Sequence, residues 1–169
     1  MKAVLISIQP KWVKKIASGE KTIEVRKTKP NLQTPFKCYI YMTKAKPYWF
    51  EFVGGGKMRA RNGMVIGEFV CDEITQFGNN FFLPSMLWIE KEACLSGVEI
   101  CKYLGEKESG FAWHISDLKI YDKPKELGGF NHDTILHTRF NGYKEPITRP
   151  PQSWCYVEEL KELQGETKL

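Results

Sequence analysis

KAVLISIQPKWVKKIASGEKTIEVRK, residues 2–27, is the stretch from which the rest of the chain is organised. Residues 3–8 are apolar and rich in branched side chains, the mark of a buried strand. Pro10 fits the first turn of a helix, where its missing N–H costs nothing. Trp12, Val13, Ile16 and Ala17 then fall on one helical face, with Lys11, Lys14 and Lys15 mostly off it. Gly19 stands where a left-handed residue closes a helix. Beyond it the pattern alternates: Ile23 and Val25 on one side, Thr22, Glu24 and Arg26 on the other. The unit is therefore strand, helix, turn, strand. One of its surfaces packs, and another gathers Lys21, Glu24 and Arg26. From spacing alone, that polar set is a solvated strand face with an internal ion pair of small worth.

GEKTIEVR, residues 19–26, matches the G-x-K-x-x-E-x-R signature of the ASCH domain, a branch of the PUA-like superfamily. The preceding ISIQPKWVKKIASG also resembles that family's first strand and helix. GMVIGEFVCDEI, GFAWHISDLKIYDKP and ITRPPQSWCYVE resemble its phage- and prophage-associated members. The likeness covers most of the chain and is weaker over residues 44–62 and 123–150. It implies an α+β, mainly β fold: a PUA-like small β-barrel with two or more short helices. It also implies that Lys21, Glu24 and Arg26 line a cleft between barrel and first helix. There Arg26 could grip a phosphate or base edge with its planar fork. Glu24 could accept from an exocyclic amine or orient its neighbours. Lys21 could neutralise phosphate or serve as a base.

Composition limits the alternatives. The length of 169 residues and 42% hydrophobic content suit one domain with a real core, placed at 1–160, followed by a charged tail at 161–169. No apolar run approaches membrane-spanning length, and the N-terminus is too polar for a signal peptide, so a cytoplasmic protein is expected. Five widely spaced cysteines read as reduced residues, with Cys38 and Cys71 inside apolar strand patterns. The net charge of +5 leans weakly towards polyanionic partners. There is no C-x-x-C, H-E-x-x-H or acidic triplet, so neither a metal nor another cofactor is expected.

Residues 36–43 alternate with both faces fairly apolar, as a central strand would. Residues 63–77 carry the longest strand signal, with Val65, Gly67, Phe69 and Cys71 on one face and Gly67 free to form a bulge. The apolar cluster at 81–92 has no clear period. Ser96 and Glu99 have capping-box spacing for a helix ending at Gly105, with Val98, Cys101 and Leu104 inward. Residues 110–121 form one long strand or two short ones, stopped by Pro124. Residues 125–150 read as an irregular excursion, and 154–157 as a last apolar element.

Several further residues are candidates. Ser7 and Gln9, at the exit of the first strand, point towards the motif and could bond a ligand. Trp113 and Trp154 could stack a nucleobase, although such residues are commonly core. Residues 44–62 place Lys44, Lys46, Lys57, Arg59 and Arg61 around Tyr48, Trp49, Phe50 and Phe52, a mixture suited to phosphate neutralisation and base stacking. The strand-like spacing favours the plainer alternative, a hairpin with its aromatics in the core and its lysines in water.

The expected partner is RNA or a modified nucleotide, with DNA possible and no membrane. Enzymatic readings also follow from the resemblance. Some small bacterial members are N4-acetylcytidine amidohydrolases, with a lysine at the Lys21 position, a threonine at the Glu24 position and a glutamate just before a later helix. Here Lys21 is kept and Glu92, or Glu90, could supply the carboxylate, but Glu24 replaces the hydroxyl nucleophile. A second branch is ribonucleolytic, for which Lys21, Arg26, Tyr41 or His114 could be recruited. A protein-interaction adaptor is the remaining alternative.

Overall fold

The computed structural model describes residues 1–78, 86–133 and 145–161. The opening unit forms as its local signals dictate. β1 is Lys2–Ile8, α1 is Pro10–Ala17 with proline in its first turn, and β2 is Ile23–Arg26. Gly19 adopts φ 78°, the left-handed conformation that a side chain would resist. β3 (Phe36–Met42) follows, then the short strands β4 (Phe50–Phe52) and β5 (Met58–Ala60). β6 is Val65–Cys71 and β7 is Ile74–Gly78. Two helices come next, α2 (Leu87–Ala93) and α3 (Gly97–Leu104). β8 (Ser109–His114), β9 (Ser116–Lys125) and β10 (Trp154–Glu158) complete the chain.

The strands form three sheets: β10-β1-β3-β6-β9, β2-β8-β7, and the β4-β5 ribbon. β3 is central in the largest, as its two apolar faces require. β1 runs parallel to β3 and antiparallel to β10. This is a mainly β, α+β fold. Among the described residues the strands do not close into a single hydrogen-bonded ring, so the expected barrel is present only as sheets packed on one another.

The layers explain the burial. One face of the large sheet, with α1, packs against the small sheet around Val4, Ile6, Ile40, Phe69 and Trp113. Its other face carries Leu5, Tyr39, Val65 and Phe130. The far face of the small sheet, including Ile23 and Val25, is covered by Ile89 and Ala93 of α2 and Ile100 and Leu104 of α3. β2 is thus in a middle layer, and all four of its residues are buried.

Four local expectations change. The long strand at 63–77 breaks at Asp72 and Glu73, where the chain passes from the large sheet to the small one. Within β6 a register shift at Val65/Gly67 sends Val65 to one core and Ile66 with Phe69 to the other. Gly67 is required there because a Cβ would meet the Lys119 carbonyl at 2.6 Å. Helix α3 has the capping box at Ser96 and Glu99, but its inward stripe is Gly97, Ile100 and Leu104, and Val98 is 79% exposed. Finally, β9 continues through Pro124, which is tolerated because β9 is an edge strand. Phe81 to Leu83, His137 and most of the charged tail lie outside the described residues.

Candidate functional site

Glu24 and Trp113 are directly paired across β2 and β8, so both point into the space between the two sheets. This register turns the polar side of β2 inward. Lys21, Glu24 and Arg26 are only 2%, 8% and 6% exposed, and the expected solvated face is instead a buried charge network. Lys21 Nζ lies 3.3 Å from Glu24 Oε2 and donates to the Ala93 carbonyl at 2.8 Å. Arg26 Nη2 lies 3.0 Å from Glu24 Oε1 and donates to the Ser7 carbonyl at 2.7 Å. Arg26 Nη1 reaches Ser153 Oγ at 3.3 Å. The motif therefore joins the end of β1, strand β2, the end of α2 and the approach to β10.

Two cations share one carboxylate in this network, leaving one positive charge in excess. Arg26 Nε and Trp113 Nε1 are buried without a hydrogen-bond partner among the described residues. Unmatched buried donors are unfavourable, and an acceptor arriving nearby would be stabilised. Tyr103 of α3, 38% exposed, lies beside Arg26. Burial pushes its phenol above the ordinary value, with Arg26 opposing the shift. Tyr103 and Ser153 carry no motif and are brought to the site by long-range packing alone.

A groove of about 670 Å³ runs along α1, lined by Lys11, Trp12, Lys14, Lys15, Glu20 and Cys94. Trp12, expected in the core, is only half-buried and adjoins both this groove and Lys21 of the network. Lys11 Nζ lies 4.1 Å and Lys21 Nζ 5.5 Å from its ring centroid. Lys15 is engaged by Glu20 at 2.9 Å, and this pairing holds the Glu20 carboxyl below its ordinary value. Glu99 also lines the groove, so three lysines face two carboxylates, and the groove carries one positive charge in excess beside the aromatic ring of Trp12.

The other expected residues are distributed unevenly. Ser7 contributes its carbonyl to Arg26, while its hydroxyl donates to the Pro151 carbonyl at 2.6 Å. Gln9 is exposed at the start of α1 and makes no side-chain cap. Glu92 accepts from the Thr22 hydroxyl at 2.9 Å, and the Thr22 amide donates to the Glu92 carbonyl at 2.9 Å, which fastens α2 to β2. Its neighbour Ala93, not Glu92 itself, receives Lys21. Trp113 is fully enclosed, its ring edge-on to Phe36 at 6.0 Å and tilted against Trp154 at 5.9 Å. It has no accessible face on which a base could stack. His114, a candidate of the ribonucleolytic reading, is a half-exposed partner of Asp72 at 2.6 Å, and this contact holds the Asp72 carboxyl below its ordinary value.

The basic segment divides in two. Arg61 is buried: it donates to the Tyr121 and Asp122 carbonyls at 2.8 and 2.7 Å and to Glu51 at 2.8 Å. Arg59 pairs with the same Glu51 at 2.6 Å. These two arginines brace the ribbon. Lys44, Lys46 and Lys57 are exposed. The aromatics do not enter the core as expected: Tyr48, Phe50 and Phe52 are 48%, 50% and 79% exposed, and only Trp49 packs against it. Among the described residues no group of three or more His, Cys, Asp and Glu could hold a metal, and no helix is long and apolar enough to cross a membrane.

The sequence profile of the ASCH domain matches residues 6–125. The crystal structure of an ASCH protein from Zymomonas mobilis superposes with TM-score 0.62 at 24% identity, over 93% of this chain and 88% of that one. A tyrosine-to-phenylalanine form of that protein gives 0.61 at 24% identity, over 94% of this chain and 92% of that one. A serine-to-alanine form gives 0.60 at 24% identity, over 93% and 89%. These likenesses concern the fold. No curated protein sequence matches the chain.

Proposed function

The chain belongs to the ASCH domain family, and from that premise we propose that it is a nucleic-acid-binding module, its ligand an RNA strand or a modified nucleotide held beside the Lys21–Glu24–Arg26 network. ASCH domains are in general nucleic-acid-binding, which sets the class of ligand. One observation carries the reading: a buried network with one positive charge in excess touches Trp12 through Lys21, and Trp12 also borders the groove of Lys11, Lys14 and Lys15. A phosphate in that groove meets the lysines directly and lies within the field of the network that Trp12 adjoins. Low-permittivity surroundings strengthen that field.

The test is fluorescence anisotropy of a labelled RNA oligonucleotide with the whole chain at several salt concentrations. Affinity is expected to fall as salt rises, because phosphate contacts release counterions. The exposed pair Lys11→Glu with Lys14→Glu should abolish binding without lowering the melting temperature. Binding indifferent to that reversal would remove the groove from the reading.

A second reading starts from the Thr22–Glu92 contact, which pairs a hydroxyl with a carboxylate one residue along the chain from Lys21. It is hydrolysis of an acylated nucleoside such as N4-acetylcytidine, with Lys21, Glu24 and Glu92 as the working group. Release of cytidine by the native chain and not by Lys21→Ala would establish it in place of simple binding.

A further inference from the structure

The β4–β5 ribbon presents an apolar face to solvent. Phe50 is opposite Ala60, Phe52 opposite Met58, and Glu51 opposite Arg59. Side chains alternate along a strand, so Phe50, Phe52, Met58 and Ala60 share one face and Glu51 with Arg59 share the other. The charged face is closed on itself, since Glu51 takes both Arg59 and Arg61. On the apolar face Phe50, Phe52 and Met58 are 50%, 79% and 55% exposed. Tyr48 extends it at the foot, its ring 6.2 Å from that of Phe50. Rings so exposed contribute little to folding, and a two-stranded ribbon gains nothing by displaying them to water.

Charge identifies what covers this face. Residues 44–61 hold five cations and one carboxylate; Arg59 and Arg61 are bound to Glu51, which leaves Lys44, Lys46 and Lys57 as the exposed cations of the segment. That carboxylate is turned to the opposite face and already paired. An ordinary apolar partner, including a second copy of this chain, would have to approach through a rim of like charge. A strand carrying both flat π-surfaces and phosphates satisfies rings and lysines together. The face is also continuous with the cationic groove, because Pro47 at the foot of the ribbon lines that groove with Lys11 and Trp12.

We propose that the ribbon is a stacking platform for unpaired bases, with Tyr48, Phe50 and Phe52 taking base faces and Lys44, Lys46 and Lys57 the flanking phosphates. The strand then runs down past Pro47 into the α1 groove. Base faces are hidden in a duplex, so the ligand is single-stranded. This rests on the nucleic-acid reading above and deepens it by naming strandedness and a second contact region.

The experiment compares the native chain with Phe50→Ser plus Phe52→Ser, using a labelled single-stranded RNA of mixed sequence and an abasic sugar-phosphate strand of equal length. Loss of the two rings should weaken binding of the base-bearing strand by roughly tenfold or more. It should leave the abasic strand and the melting temperature unchanged. Equal affinity of native and substituted protein for the base-bearing strand overturns the ribbon assignment while leaving the groove reading intact. Equal loss on both strands overturns stacking, since bases would then be irrelevant. Absence of binding by the native chain overturns both readings. Dissociation of a dimer by the double substitution, with RNA affinity unaltered, would assign the face to a second copy.

Discussion

Lys21 and Glu24 form an ion pair with almost no access to water, Nζ to Oε2 3.3 Å, and Glu24 simultaneously holds Arg26 at 3.0 Å. Among the described residues, one carboxylate is therefore the only anion paired with these two buried cations. Removing it leaves both uncompensated in a dry setting, the costly way to break a buried pair. Glu24→Gln is expected to lower unfolding free energy by about 3–5 kcal/mol with an unchanged denaturant slope. Urea denaturation measures it. A loss of about 1 kcal/mol or less would mean that water screens the network as it does a surface pair.

The sequence made the first unit legible because its signals are local. Pro10, the stripe through Val13 and Ile16, Gly19 and the alternation at Ile23 and Val25 each act within a few residues, and each is present as expected. The capping box at Ser96 is legible for the same reason. What alternation could not reveal is that β2 is covered on both sides. That depends on Ser7, Ala93 and Ser153, residues distant in sequence and without a motif. Trp12 and Phe50 show the same limit from the other direction. A large apolar residue reads as core, yet their exposure is set by a charged groove and by a two-stranded ribbon with no layer above it.

The Thr22–Glu92 contact fastens α2 to β2 by a charge-assisted side-chain bond and a backbone bond, both 2.9 Å. Thr22→Val removes the first and keeps the shape. A hydrogen bond to a charged group contributes about 1.5–3 kcal/mol, and the half-buried setting places this one near the low end. If the contact is structural, RNA affinity stays unchanged in a variant that melts earlier. If N4-acetylcytidine is turned over, the rate should also fall, and Glu92→Gln should lower it further.

Glu51 gives the ribbon a pH dependence. Its carboxyl is held below the ordinary value of 4.5, first by the hydrogen bond from Arg61 and also by Arg59. A depressed carboxylate contributes stability that is complete above its unfolded pKa and is lost as pH falls through the folded one. The difference in melting temperature between native protein and Glu51→Gln should therefore be constant near neutrality. It should shrink as pH drops below about 4.5. A difference independent of pH down to strong acid would show that the Glu51 charge does not support the ribbon.

None of the five cysteines is in a disulfide, and burial sets their reactivity apart. Burial pushes the Cys38 thiol well above its ordinary value, Cys71 up to about 12 and Cys155 up to about 11. The thiolate is the reactive form, so these three should resist alkylation at neutral pH. Cys94 and Cys101 are only half-buried and should react first. Peptide mass spectrometry after brief iodoacetamide treatment distinguishes them. Labelling of Cys38 or Cys71 without denaturant would mean that the space between the sheets opens readily.

Arg26 and Lys57 separate recognition from plain charge attraction. Arg26 presents a planar fork inside the network, bonded to Ser7 and Glu24 and with Nε unmatched, whereas Lys57 is an exposed cation at the ribbon tip. Arg26→Ala removes a fixed donor set and leaves Glu24 with Lys21 alone, so it should weaken a specific RNA complex much more than Lys57→Ala. Arg26→Lys keeps the charge but not the fork and should restore only part of the affinity. Lys57→Ala should instead lower the salt slope of binding by roughly 0.7, as expected for one lost phosphate contact on a single strand. Each variant is compared at equal folded fraction, because Arg26 also joins β1 to β2. Equal and small losses from Arg26→Ala and Lys57→Ala would reduce the interaction to nonspecific attraction of a polyanion, with no role for the motif in choosing its ligand.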